Sequence, residues 1–355
     1  MIDLLKAVAA QLIVLHHLAF YGPMSDVVAT AAPQLIEWLS RQGRLAVQVF
    51  LVVGGFLAAR QLAPDGRLAL RGSPWAALRD RYLRLVLPYA AMLVFVLACA
   101  ALARRWLDHP SVPAAADGWD LLAHLLLLQD LLDVDALSAG VWYVAIDFQL
   151  FVMLLGLLWI AARAEPRFGP ARSPAVVATA ALVLASLLHF NRDAGWDEAA
   201  PYFFGAYGAG ALAAWWTAAP GRLLSPRLAA VLLLGSTLAL VIDYRPRIAL
   251  AAAVALAIAL VAPRMRVLQG RAWAVISALS RISYSLFLVH FGVCLVVNAV
   301  FVRFLPATVP VQGLGLLVAW AASLAAAALF HRWIEAPALA WVAARPGRAA
   351  SALGA

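Results

Sequence analysis

Ten predominantly apolar stretches run through this chain, at roughly 3–21, 45–63, 84–103, 141–162, 174–190, 200–216, 228–242, 247–262, 276–301 and 313–331, most of them close to the about 20 residues with which a helix crosses a bilayer. In hydrocarbon a segment that must satisfy its own amides does so as a helix. The expected fold is therefore all-α, a polytopic membrane helix bundle of about ten transmembrane helices. Composition excludes a soluble alternative: 65% of the 355 residues are hydrophobic and 13% charged, against about 45–50% and 25% in soluble domains. So much apolar surface cannot be hidden from water by a chain of this length. An eleventh stretch, Leu121 to Leu132, is too short to span and is flanked by Asp117, Asp120, Asp130, Asp133 and Asp135, which predicts a surface helix in a long external loop.

Cytoplasmic loops collect Lys and Arg. With a cytoplasmic N-terminus, the inner loops and C-terminal end hold eighteen of the twenty-six arginines, and the outer loops hold twelve of the eighteen acids. Both termini are thus expected inside, with residues 104–140 outside, residues 1–335 forming the membrane domain and 336–355 a cytoplasmic tail. The formal charge of +9 belongs to the inner membrane face and calls for no nucleic-acid partner. The start also has the outline of a cleavable signal, with Lys6, an apolar run and Ala29-Thr30-Ala31, but two histidines in the run and the long gap to the triplet argue against cleavage. Cys99 and Cys294, each inside an apolar run, supply neither a disulfide framework nor a metal cluster.

Ionisable groups inside spans are costly, so each is a functional candidate. In the first span, Lys6 and His17 share a helix face about 16 Å apart in rise, whereas His16 points about 100° away from His17. The plain reading of the two histidines is helix packing, each ring donating to a neighbouring carbonyl, and that of Lys6, the one lysine in the chain, is a snorkelling end residue. Gly54-Gly55 sits in the middle of the second span, where either close helix packing or a ligand passage accounts for it. Arg81 and Arg84 fall one turn apart at the expected cytoplasmic mouth of the third span, where forked guanidiniums suit a phosphorylated ligand. Asp147, about 10 Å below the outer surface in the fourth span, is a lone carboxylate in need of a partner. His290, about 14 residues into the ninth span, shares a membrane layer with His17 and Asp147.

Together these motifs resemble the integral membrane acyltransferases of acyltransferase family 3, over nearly the whole chain. The pattern D-x-x-R-x10-H is met by Asp3, Lys6 and His17; F-x-x-S-G-F by the segment Phe50 to Phe56; R-x-x-R by Arg81 and Arg84. The W-Y-L-x-x-E-x-Q-F segment is met by Trp142, Tyr143, Asp147 and Gln149, the I-S-Y-x-x-Y-L-x-H segment by Ile282, Ser283, Tyr284 and His290, and the closing I-E-x-P by Ile334, Glu335 and Pro337. Lys6, Gly54, Asp147, Phe148 and Phe287 depart from the pattern, standing where arginine, serine, glutamate, a second acid and a tyrosine are usual.

The resemblance implies a membrane-embedded O-acyltransferase of the bacterial cytoplasmic membrane. It moves an acyl group, acetyl foremost, from acyl-CoA as co-substrate to a hydroxyl of a cell-surface or periplasmic glycan or a lipid-linked sugar, with no bound cofactor or metal. His17 is then the base and Asp147 its orienting or second proton-carrying group; Lys6, Arg81 and Arg84 hold the donor's phosphates; His16, Gly54, Gly55, Tyr284, His290 and Glu335 support the site. A pantetheine arm of roughly 15–20 Å covers much of the rise from Lys6 to His17, and an acyl-histidine relay is the alternative. A transporter also needs polar residues at the midplane, but the two halves of this chain have no matching pair of interrupted helices. A sensor or scaffold needs an output domain, and no such segment is seen.

Overall fold

Helices make up every regular element among the described residues of the computed structural model, which are 1–70, 72–168, 173–218, 224–264 and 270–345. In chain order they are α1 (Ile2–Phe20), α2 (Pro23–Ala29), α3 (Pro33–Gln42), α4 (Ala46–Leu62), α5 (Pro74–Ala103), α6 (Gly118–Leu125), α7 (Val141–Phe168) and α8 (Pro174–Leu188). There follow α9 (Ala200–Ala218), α10 (Leu224–Ala230), α11 (Ser236–Ile242), α12 (Pro246–Val261), α13 (Arg271–Arg281), α14 (Ser283–Phe304), α15 (Val309–Phe330) and α16 (Ala336–Ala343). Among the described residues, seven helical runs are long and apolar enough to cross a membrane: Ile2–Phe20, Pro33–Leu62, Pro74–Ala103, Val141–Ala164, Pro174–Arg192, Ser283–Phe304 and Val309–Ala343. Of the other three expected spans, α9 has the length but is diluted by Gly, Tyr and Trp, and Leu228–Ile242 and Pro246–Val261 are shorter apolar helices.

Three expected boundaries shift. α5 begins at Pro74 rather than near residue 84, because the Ser73 hydroxyl accepts from the Ala76 amide at 3.1 Å, proline occupies the first turn and no Gly or Pro interrupts residues 75–84. Arg81 and Arg84 therefore lie within α5 and not at its mouth. The expected ninth span is two helices: amphipathic α13 ends at Arg281, and Ile282, at φ −89° and ψ 5°, separates it from α14. At the C-terminal end a π-helical turn, His331–Glu335, carries α15 into α16, so the helical run Val309–Ala343 continues past the expected span end at residue 331.

The helices form two compact units that alternate along the sequence. In the first, built from residues 1–5, 47–81 and 146–273, α8 and α12 pack on α9, most of whose residues are buried. α4 approaches α9 so closely that a Cβ at Gly55 would lie 1.8 Å from the Tyr207 carbonyl oxygen and one at Gly210 would lie 1.9 Å from that of Val52. Lipid offers little hydrophobic drive between helices, so backbone contact of this kind supplies much of the packing energy. Gly55 is thus a packing residue, one of the two readings its sequence allowed.

In the second unit, residues 6–46, 82–145 and 274–355, α14 lies along α15, and α15 also packs on α2. The Gln11 side chain of α1 accepts from the Trp320 indole of α15 at 2.8 Å. Asn298 of α14 accepts from the Met24 amide and donates to the Cys294 carbonyl, and a Cβ on Gly22, whose φ is 131°, would lie 2.6 Å from Asn298 Oδ1. The 118–137 loop is more anchored than a surface helix. α6 opens on a capping box made by Asp117 and Asp120, and the fully buried His124 accepts from the Leu137 amide while donating to the Asp120 carbonyl.

Candidate active site

His17, one turn from the C-terminal end of α1, meets His290 of α14 with 2.6 Å between His17 Nδ1 and His290 Nε2. His290 is the eighth residue of α14, so the break at Ile282 brings it nearer its helix start than expected, about 10 Å along the axis. The two rings are 6° from parallel with centres 4.9 Å apart, and His290 Nδ1 lies 2.9 Å from the Leu286 carbonyl oxygen. His290 is wholly buried, whereas His17 keeps 8% of its surface exposed. His16 takes the plain role: its Nδ1 donates to the Leu39 carbonyl at 3.1 Å and its Cβ packs against Gly43.

Asp147, 5% exposed in the first turns of α7, accepts a hydrogen bond and ion pair from Arg81 of α5. The guanidinium also lies 5.4 Å over the Phe151 ring. A buried carboxylate is costly alone, and this cation compensates it, which is also why α5 tolerates Arg81 inside the helix. A Cβ on Gly54 would lie 3.3 Å from Asp147 Oδ1 and 3.2 Å from the Tyr207 ring, so Gly54 faces the ion pair while Gly55 seats α9. Tyr207 is fully buried, and its hydroxyl has no hydrogen-bond partner among the described residues. A tyrosine in an apolar run is common enough that only its place between two glycines, GAYGAG, marked it in the sequence.

Asp147 was expected to orient the His17 ring or to hold a second proton-carrying group. The structure gives His17 Nδ1 to His290 and the Asp147 carboxylate to Arg81, because each buried polar group takes the partner its own helix packing supplies. Tyr284, in the first turn of α14, donates to the Leu85 carbonyl at 3.1 Å. Glu335, on the π-helical turn, accepts from the Ser285 hydroxyl and pairs with His331 Nδ1 at 3.1 Å. It thereby places a carboxylate at the positive end of the α14 dipole. Ser285 and His331 were not singled out from the sequence. Lys6 lies half-buried in α1 and Arg84 half-buried in α5.

The family model of the acyltransferase domain matches residues 1–330. The chain belongs to acyltransferase family 3. No curated protein and no solved structure matches it. The match supports a membrane acyltransferase in general. Two departures from the family pattern, Gly54 and Asp147, are spatial neighbours here. Both are smaller than the usual residues, and both border the Tyr207 ring or the Arg81 guanidinium.

Proposed function

We propose that the protein is an O-acyltransferase that takes an acyl group, acetyl foremost, from acyl-CoA to a hydroxyl of a cell-surface or periplasmic glycan or a lipid-linked sugar, in the bacterial cytoplasmic membrane. The observation that carries this reading is the 2.6 Å contact between His17 and His290, two buried imidazoles within a family 3 acyltransferase domain. His17 takes the acceptor hydroxyl proton as the oxygen attacks the thioester carbon. The C–S bond then breaks, and the CoA thiolate recovers that proton from His17. Lys6, Arg81 and Arg84 are assigned to the donor's phosphates, a role for which cations and forked guanidiniums are chemically suited. Ten spans with both termini cytoplasmic follow if α9, Leu228–Ile242 and Pro246–Val261 complete the crossing set, and the arginine asymmetry supports that orientation.

The test is acyl-CoA consumption by purified protein supplied with a lipid-linked sugar extract. Free CoA thiol appearing together with acylated sugar is expected. Binding or movement of acyl-CoA without thiol release would favour a transporter.

A further inference from the structure

The bond between the two histidines has a direction, set by the group behind them. His290 Nδ1 faces the Leu286 carbonyl oxygen at 2.9 Å, and a carbonyl only accepts, so Nδ1 carries the hydrogen. In the neutral ring His290 Nε2 then holds the lone pair, and the 2.6 Å contact requires His17 to donate from Nδ1. One tautomer of His17 remains, with hydrogen on Nδ1 and the lone pair on Nε2. The ring geometry fits this bond. The 4.9 Å between ring centres equals the 2.6 Å contact plus one ring radius on each side, and the planes differ by 6°, so the N···N axis runs in the plane of both rings along the acceptor lone pair. His17 Nε2 has no hydrogen-bond partner among the described residues.

We propose that His290 is a positioning residue that locks His17 into this tautomer, making His17 Nε2 the atom that takes the acceptor proton and returns it to the CoA thiolate. The inference rests on the reading of His17 as base. Throughout the step the Nδ1–H of His17 stays bonded to His290, and the positive charge formed on His17 is stabilised by the His290 lone pair, itself strengthened by the Leu286 carbonyl. A neutral imidazole suits this place better than a carboxylate: the resting pair carries no net charge, which keeps its burial at membrane depth inexpensive.

Nitrogen-15 NMR of histidine-labelled protein in micelles tests it, the His17 signal being identified by its loss in His17→Gln. Wild type is expected to show His17 protonated on Nδ1 and unprotonated on Nε2. His290→Leu is expected to lose that preference and to lower acyl-CoA turnover about 100-fold. His290→Gln, whose side-chain oxygen reaches the same position as an acceptor, is expected to keep the tautomer and recover at least a tenth of the turnover. A wild-type His17 protonated on Nε2, or His290→Leu with wild-type turnover, would overturn the proposal. The tautomer is read without any reaction, so it stands apart from the base assignment, which fails separately if His17→Gln remains active.

Discussion

At the scale of single residues, the sequence marked both halves of the central pair, because a histidine in an apolar run is costly wherever it occurs. Their meeting was not legible, since His17 and His290 lie far apart in the chain and only helix packing decides which of two adjacent histidines turns inward. The same limit applied to Asp147: its need for a counter-charge was readable, the identity of Arg81 was not, and Tyr207 carried no charge to give it away. Breaking that ion pair leaves a guanidinium with 29% side-chain exposure facing a carboxamide. Asp147→Asn is expected to destabilise the protein by about 2–3 kcal/mol, less than for a fully buried pair. Thermal unfolding in detergent measures this, and an unchanged midpoint would mean that the pair contributes nothing to the fold.

Among the elements, long apolar helices were legible because bilayer thickness dictates their length. Ends and breaks were harder. Arginines near residue 80 read as a loop until Ser73 and Pro74 are seen to start a helix there, and the amphipathic α13 merged with α14 in an apolar count. The Gly54-Gly55 step left two readings open until the Tyr207 carbonyl was found against Gly55. Gly55→Ala is therefore expected to force α4 from α9 and abolish stable folding or cost more than about 3 kcal/mol. Gly156→Ala, with nothing near its Cβ position, is expected to be neutral or stabilising by up to about 1 kcal/mol. Paired thermal-shift measurements compare them. In the 118–137 loop, burial lowers the His124 pKa, and its Nε2 accepts from Leu137, so protonation cannot occur without losing that bond. A lowered folded-state pKa means the contribution is complete above the ordinary histidine value of about 6.5 and declines as pH falls below it. Hydrogen exchange at the Leu137 amide, corrected for intrinsic rate, is expected to accelerate between pH 7 and pH 5, to about the extent of His124→Ala.

For the whole molecule, the all-helical membrane fold and the acyltransferase family were both readable before any coordinates, from apolar run lengths and from motifs whose order matters more than any one of them. The acceptor is not encoded so plainly, because the sugar hydroxyl proposed above would be recognised by cavity shape and not by a charged motif. With the proposed orientation, both termini cytoplasmic, Ala115→Cys in a Cys99→Ser background is expected to react with an impermeant maleimide in intact cells; labelling only after permeabilisation would invert the topology. The most direct measurement concerns His17 itself. Purified His17→Ala, checked for correct folding and for acyl-CoA affinity within about twofold of wild type, should release CoA thiol at least about 1,000-fold more slowly in the presence of acceptor, because the base acts on the proton and not on the donor's phosphates. Thiol release by His17→Ala at the wild-type rate would contradict a histidine-centred acyl transfer.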